Sequence, residues 1–131
     1  MTILNADKWL KSVLTGDATL TGILAGRVYS EAAPQGTAYP LATISMIGTS
    51  QVSATAQVDR IMDEEDWQVT LATDGQYLSL ETAADRIRAL LHKATGTGVL
   101  ACEYMGSARL AETRAGIEYR SIVMEFRIYT Q

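Results

Sequence analysis

The chain reads as an α+β fold: a mainly antiparallel or mixed β-sheet with one long helix and short N-terminal helices packed on one face, in the order ααβββαββ. Three features predict it. Apolar residues recur at threes and fours in residues 5–24 and 77–91, as on one face of a helix. They alternate in 41–47, 67–73 and 117–129, as in a half-buried strand. Most of the glycines and both prolines fall between these runs, where turns are needed.

The elements follow in order. Asn5 can cap a first helix with Trp9, Leu10, Val13 and Leu14 on one side, and Gly16 ends it. Asp17 can cap a second, with Leu20, Ile23 and Leu24 on one face and Gly26 as its left-handed stop. Arg27–Ser30 is a short extended piece, and Ala33-Pro34-Gln35-Gly36 a turn. Pro40 holds Tyr39 extended. In the strand Leu41–Ile47, Ala42, Ile44 and Met46 share one face. Gly48–Asp59, rich in Ser, Thr, Gln and Ala, reads as a long loop or a protruding strand extension, flexible from about 48 to 65.

Trp67, Val69 and Leu71 then alternate in a strand that Asp74-Gly75 ends. The main helix is expected from Gln76 to about Ala94, its stripe being Tyr77, Leu80, Ala84, Ile87, Leu90 and Leu91. Gly96 and Gly98 break it. Val99–Met105, interrupted only by Glu103, is expected to be a central strand, and 106–116 the connecting hairpin. The closing strand Ile117–Tyr129 puts Ile122, Met124, Phe126 and Ile128 on its apolar face. Tyr119, Ser121, Val123, Glu125, Arg127 and Tyr129 lie on the other. Residues 1–131 are expected to form one domain, as their number allows.

Composition narrows the function. Hydrophobic residues make up 47% and charged residues 20%, which excludes a disordered chain. No apolar run approaches the roughly 20 residues of a membrane span, and the N-terminus lacks a signal-peptide pattern. Cys102, the one cysteine, excludes an internal disulfide and fits a reducing cytoplasm. The net charge of −4 is local: residues 59–66 hold five acids against Arg60, while the remaining ten acids and ten bases cancel. A chain gripping nucleic acid by its backbone needs a basic patch, and this one has none.

Few residues suggest chemistry. Gly96-Thr97-Gly98-Val99-Leu100-Ala101 fits a loose dinucleotide pattern, but it leaves a helix and enters a strand, the reverse of what phosphate binding requires. His92, the one histidine, reads as a cation at a helix C-terminus, and Cys102 as a buried, inert thiol. Asp63-Glu64-Glu65-Asp66 lacks the ligand spacing of a calcium loop. It reads as a solvated loop or a contact for another protein, with a divalent-cation site held by the carboxylates as the least favoured alternative. No catalytic, cofactor-binding or metal-binding residue is predicted, and the chain is not expected to be an enzyme.

One resemblance adds to this. Asp17-Ala18-Thr19-Leu20, Gly26-Arg27-Val28-Tyr29, Ala33-Pro34-Gln35-Gly36 and Tyr39-Pro40 resemble tail-completion proteins, or tail terminators, of long-tailed bacteriophages and prophages. The likeness continues through Trp67–Thr73, the helix with Arg86, Ile87, Arg88 and Leu90, and Arg120–Tyr129. It implies a subunit of a virion tail, assembled in the host bacterial cytoplasm into a ring, usually a hexamer. Such a ring caps the tail tube, stops its polymerisation, offers a surface to the head–tail connector and lets DNA pass. A ring also suggests how the charge is used: Asp63, Glu64, Glu65 and Asp66 facing a neighbour's Arg109, Arg114 and Arg120. Glu64, Glu65 and Asp66 are then expected to be disordered in the free subunit. Tyr119, Glu125 and Arg127 complete the candidate contact surface. Another head–tail joining or minor tail protein is the alternative, and a small metal-binding enzyme a more distant one.

Overall fold

A computed structural model describes residues 3–53, 60–75, 77–96 and 98–130. The order is α1 (Ile3–Thr15), α2 (Ala18–Leu24), β1 (Val28–Ser30), β2 (Leu41–Ser53), β3 (Arg60–Thr73), α3 (Tyr77–Leu91), β4 (Val99–Arg114) and β5 (Ile117–Thr130). The five strands form one mixed sheet in the order β1-β2-β3-β5-β4. β1 runs parallel to β2, and the other neighbours are antiparallel. This is the α+β architecture the periodicities predict.

Strand alternation decides which side chains meet the helices. Ile44, Val69 and Met124 lie side by side on one face, as do Ala42, Leu71 and Ile122, and all six are buried. The helices supply the other half of this core: Leu10 and Leu14 from α1, Leu20 and Leu24 from α2, and Leu80, Ala83, Ile87 and Leu91 from α3. Thus β5 has the predicted faces. In α3 the stripe is displaced slightly, since Ala83 is fully buried and Ala84 only partly.

The helix ends show which residues act as caps. α1 begins at Ile3, so Asn5 lies inside the helix and is not its cap. Asp17 does cap α2, its side chain accepting from the Leu20 N–H at 3.1 Å. The left-handed cap falls on Ala25 (φ 51°), one residue before Gly26, which is also at positive φ. α3 stops at Leu91, earlier than expected; Gln76, its predicted start, lies outside the described residues. No helix among the described residues is long and apolar enough to cross a membrane.

Two expectations about the strands are corrected, and a third is decided between its alternatives. β4 is an edge strand, not a central one. Its apolar run is broken by register shifts at Leu100 and Met105, and these two residues are 44% and 47% exposed. A bulge adds a residue that the ladder cannot pair, so a continuous apolar run here buries only alternate segments. Secondly, 106–116 is not a connection. The β4–β5 ladder runs on to Arg114↔Ile117 and turns at Ala115-Gly116, both at positive φ, as a tight two-residue hairpin turn requires. For 48–65 the described residues take the second of the two expected forms, a protruding strand extension: 48–53 and 60–66 are strand, paired from Gly48↔Asp66 to Ser53↔Arg60. That ladder passes the last β3–β5 pair at Asp63↔Thr130, so its end extends beyond the sheet. Residues 54–59, including Asp59 of the acidic segment, lie outside the described residues.

Candidate functional site

The four acids of 63–66 sit on β3, and strand geometry divides them. Glu65 points to the helix side and is 1% exposed. It accepts hydrogen bonds from Trp67 Nε1 at 2.9 Å and Thr130 Oγ1 at 3.0 Å. Glu64 and Asp66 point to the face no helix covers, where Arg127 of β5 lies 3.0 Å from each. The carboxylates hold the Arg127 guanidinium more firmly protonated than usual, Asp66 first through its hydrogen bond. The expected disordered loop is therefore corrected for Glu64, Glu65 and Asp66. Asp63 occupies the β3 position paired with Thr130. Among the described residues, no group of three or more His, Cys, Asp or Glu is placed to hold a metal ion.

The arginines expected to face a neighbour are engaged within their own chain. Arg109 pairs with Glu81 of α3 and lies over the Tyr77 ring. Arg114 pairs with Glu112 at 3.2 Å and lies over Tyr119. Arg120 reaches Glu118 at 2.9 Å and donates to the Gly75 carbonyl. Arg114 and Tyr119 share the uncovered face, where the Tyr39 ring packs 5.6 Å from that of Tyr119. Glu125 is exposed on the same face. The candidate residues therefore form two groups: an acidic cluster around Arg127, and an aromatic and arginine group at the β4–β5 hairpin.

That hairpin forms an arm. β3 leaves β5 at Thr73↔Arg120, so Ile117–Tyr119 and Glu112–Arg114 form a two-stranded projection. A two-stranded ribbon is marginal alone, and its base is held by Tyr77, whose hydroxyl donates to the Leu110 carbonyl at 2.9 Å. Leu110 and Ile117 remain 56% and 48% exposed on it. Sequence reasoning missed Tyr39, Tyr77, Leu110 and Ile117 as participants. An arm exposed on both faces has no alternation to read.

The remaining motif residues have structural roles. A Cβ on Gly96 would lie 2.2 Å from Trp9 Nε1, so the glycine admits the indole of α1; Thr97 lies outside the described residues. Cys102 is buried, and burial pushes its thiol pKa up to about 12. His92 lies just past the end of α3, against β4. Its Nδ1 accepts the Tyr104 backbone N–H at 3.2 Å. Next to it, the Lys93 N–H donates to the Cys102 carbonyl at 2.7 Å. The turn after α3 thus seals part of the β4 edge.

A chain titled "Virion of native gene transfer agent (GTA) particle" superposes with a TM-score of 0.69 at 20% identity, covering 92% of this chain and 90% of that one. A second solved chain gives a TM-score of 0.56 at 16% identity, with 95% and 92% covered. Likeness at these identities establishes the shared fold. No curated protein matches the sequence. The family model of tail completion protein gp17 matches residues 9–131, almost the whole length. The chain belongs to the tail completion protein gp17 family and is a structural protein of a phage-type virion tail.

Proposed function

We propose that this subunit is a tail terminator: several copies close into a ring, a hexamer in our reading, on the end of the tail tube. The ring stops tube growth, presents a surface to the head–tail connector and leaves a passage for DNA. Assembly takes place in the host bacterial cytoplasm, and no catalysis is involved. Family membership over residues 9–131 is the observation that carries this reading. Two features of the subunit support it. A closed ring needs two different patches on each subunit, and here the acidic cluster around Arg127 and the β4–β5 arm are separate surfaces of different chemistry. The arm also exposes Leu110 and Ile117 on a ribbon that contact with a partner would stabilise.

Tail tubes polymerised with and without the protein, measured by electron microscopy, test the proposal. With it, tubes should end in a ring and keep a defined length. Without it, they should overgrow. Tubes of normal, defined length in its absence would overturn the terminator role.

A further inference from the structure

The sheet has two outer edges, and each is sealed only in part. On one side β1 pairs with β2 from Ala42 to Ile44, and the Glu31 N–H caps the Ile44 carbonyl at 2.8 Å. Among the described residues, no strand pairs with β2 beyond Ile44 on that side, which leaves residues 45–53 open. On the other side the turn after α3 seals β4 at Cys102 and Tyr104 through Lys93 and His92. Beyond that plug, Met105–Arg114 has no outer strand among the described residues. Long open edges invite strand addition, and proteins that avoid it place lysine or proline there. Neither stretch contains either residue, and residues 45–53 carry no charge at all.

We propose that the open edge Met105–Arg114 of β4 pairs antiparallel with the open edge 45–53 of β2 in a second copy of this chain. The proposal rests on the ring reading and names the contact that closes it. Three features select a second copy as the occupant. The open stretches match in length, ten residues against nine. Their direction also fits. β2, β3, β5 and β4 are joined by three successive antiparallel pairings, so β4 runs opposite to β2. Rotation about a ring axis leaves the axial direction of a strand unchanged, so β4 also meets the neighbour's β2 antiparallel.

Charge is the third feature. The open stretch of β4 carries Arg109 and Arg114 against Glu112, a net positive edge. Behind the open stretch of β2 lies the acidic part of β3, with Gly48, Thr49 and Ser50 paired to Asp66, Glu65 and Glu64. A strand added to β2 would lie two spacings from β3, about 10 Å, so the positive edge is drawn to the acidic strand as a whole. Arg109 lies on the helix face with Ile122, and Glu64 and Asp66 lie on the other, so they form no direct pair. With the plug at Tyr104 and the stop at Ile44 setting the limits, antiparallel overlap brings Arg109 near Thr49 and Ser50.

The ladder shows where to block the edge. Tyr104 faces Phe126 and directs its N–H off the sheet to His92. Ser107 and Arg109 face Met124 and Ile122, the next alternate residues of β5, so their N–H groups also point outward. Ser107→Pro therefore removes an outward donor while leaving the β5 ladder its bonds. The test is hydrogen exchange of the wild-type protein, dilute and then assembled (concentrated, or on tube ends), together with assembly of Ser107→Pro. Amides in 106–113 and 45–53 should slow by about tenfold or more on assembly. Ser107→Pro should keep its core protection yet need about tenfold more protein to assemble. Protection appearing elsewhere on assembly, or normal assembly by a folded Ser107→Pro, overturns the edge pairing and leaves the ring standing. If Ser107→Pro does not fold, the wild-type exchange pattern decides alone. A wild-type protein that never self-associates, in solution or on tubes, overturns the ring reading and the pairing with it.

Discussion

Gly96→Ala is a sensitive test of how the helix layer meets the sheet. At an unstrained position, replacing glycine by alanine stabilises by about 0.4–1 kcal/mol, because the unfolded chain loses freedom. Gly96 is not among the residues at positive φ, so its backbone would accept alanine. Space opposes the change. The new Cβ would meet Trp9 at 2.2 Å from Nε1, 2.6 Å from Cδ1 and 3.1 Å from Cε2. Ordinary carbon contacts lie at about 3.5–4 Å, so the ring or the turn must move by more than an ångström. Trp9 packs against the core and its indole is rigid, so relief means withdrawing it. Overpacking of this kind costs about 1–3 kcal/mol. Steric cost prevails, and the net loss should be about 1–2 kcal/mol. Urea melts of the wild type, Gly96→Ala, Trp9→Leu and the double variant form the assay. With the indole gone, Gly96→Ala should become neutral or slightly stabilising, giving a coupling of at least about 1 kcal/mol. Equal costs in both backgrounds would refute the contact.

Four further outcomes follow from the core and its polar contacts. Phe126→Ala should cost about 3–5 kcal/mol in a denaturant melt, since Phe126 is fully buried beside Tyr104; Leu78→Ala, at a largely exposed helix position, should stay within about 0.5 kcal/mol. Glu65→Ala strands the Trp67 indole N–H and the Thr130 hydroxyl inside the core, at about 1–3 kcal/mol for each donor left without an acceptor, whereas Glu65→Gln keeps an acceptor and should cost less. Asp17 has its pKa lowered, chiefly by its hydrogen bond to Arg86, so its contribution is full above the ordinary carboxylate range and is lost as pH falls through the lowered value. Arg86→Met should therefore flatten the acid limb of a stability–pH curve below about pH 4. Cys102, with its thiol pKa near 12, should resist alkylation at pH 8 until the protein unfolds, as a labelling time course would show.

Much of this fold was legible because burial on one face leaves a period in the sequence. Ile122, Met124, Phe126 and Ile128 could be assigned inward because β5 is flanked by strands on both sides and covered by helices on one. The Asp17 cap was legible for a local reason, since its bond to Leu20 spans three residues. The errors share a cause as well. β4 looked central because apolar content was read without register, and the bulges at Leu100 and Met105 turn two large side chains outward. The arm left no period, since from Glu112 to Glu118 both faces are exposed. His92 was read from helix polarity alone, which says nothing of the Tyr104 backbone that the return of β4 along α3 brings into range.

The acidic run shows how a correct charge count can still mislead about a surface. Four consecutive acids look like one patch, but on a strand they divide by parity: Glu65 turns inward, and Glu64 and Asp66 turn outward onto Arg127. Reversing Glu65 would damage the core and say nothing about a partner. Glu64→Lys is the informative change, yet it too first weakens a bond within the chain. Choice of the rescuing partner separates the two effects. If Glu64 acts only through its own Arg127, then Arg127→Glu should restore the Glu64→Lys variant, and Arg109→Glu should not. Arg109 shares the helix face with Ile122, opposite to Glu64. A neighbour's β4 beside β2 therefore acts on Glu64 through the net charge of that edge, and Arg109→Glu should restore assembly of Glu64→Lys in part. Exposed pairs are screened by salt, so assembly midpoints belong at low ionic strength, and rescue should fade as salt is added. Failure of Arg109→Glu under those conditions, with Arg127→Glu succeeding, would confine the acidic cluster to the architecture of a single subunit.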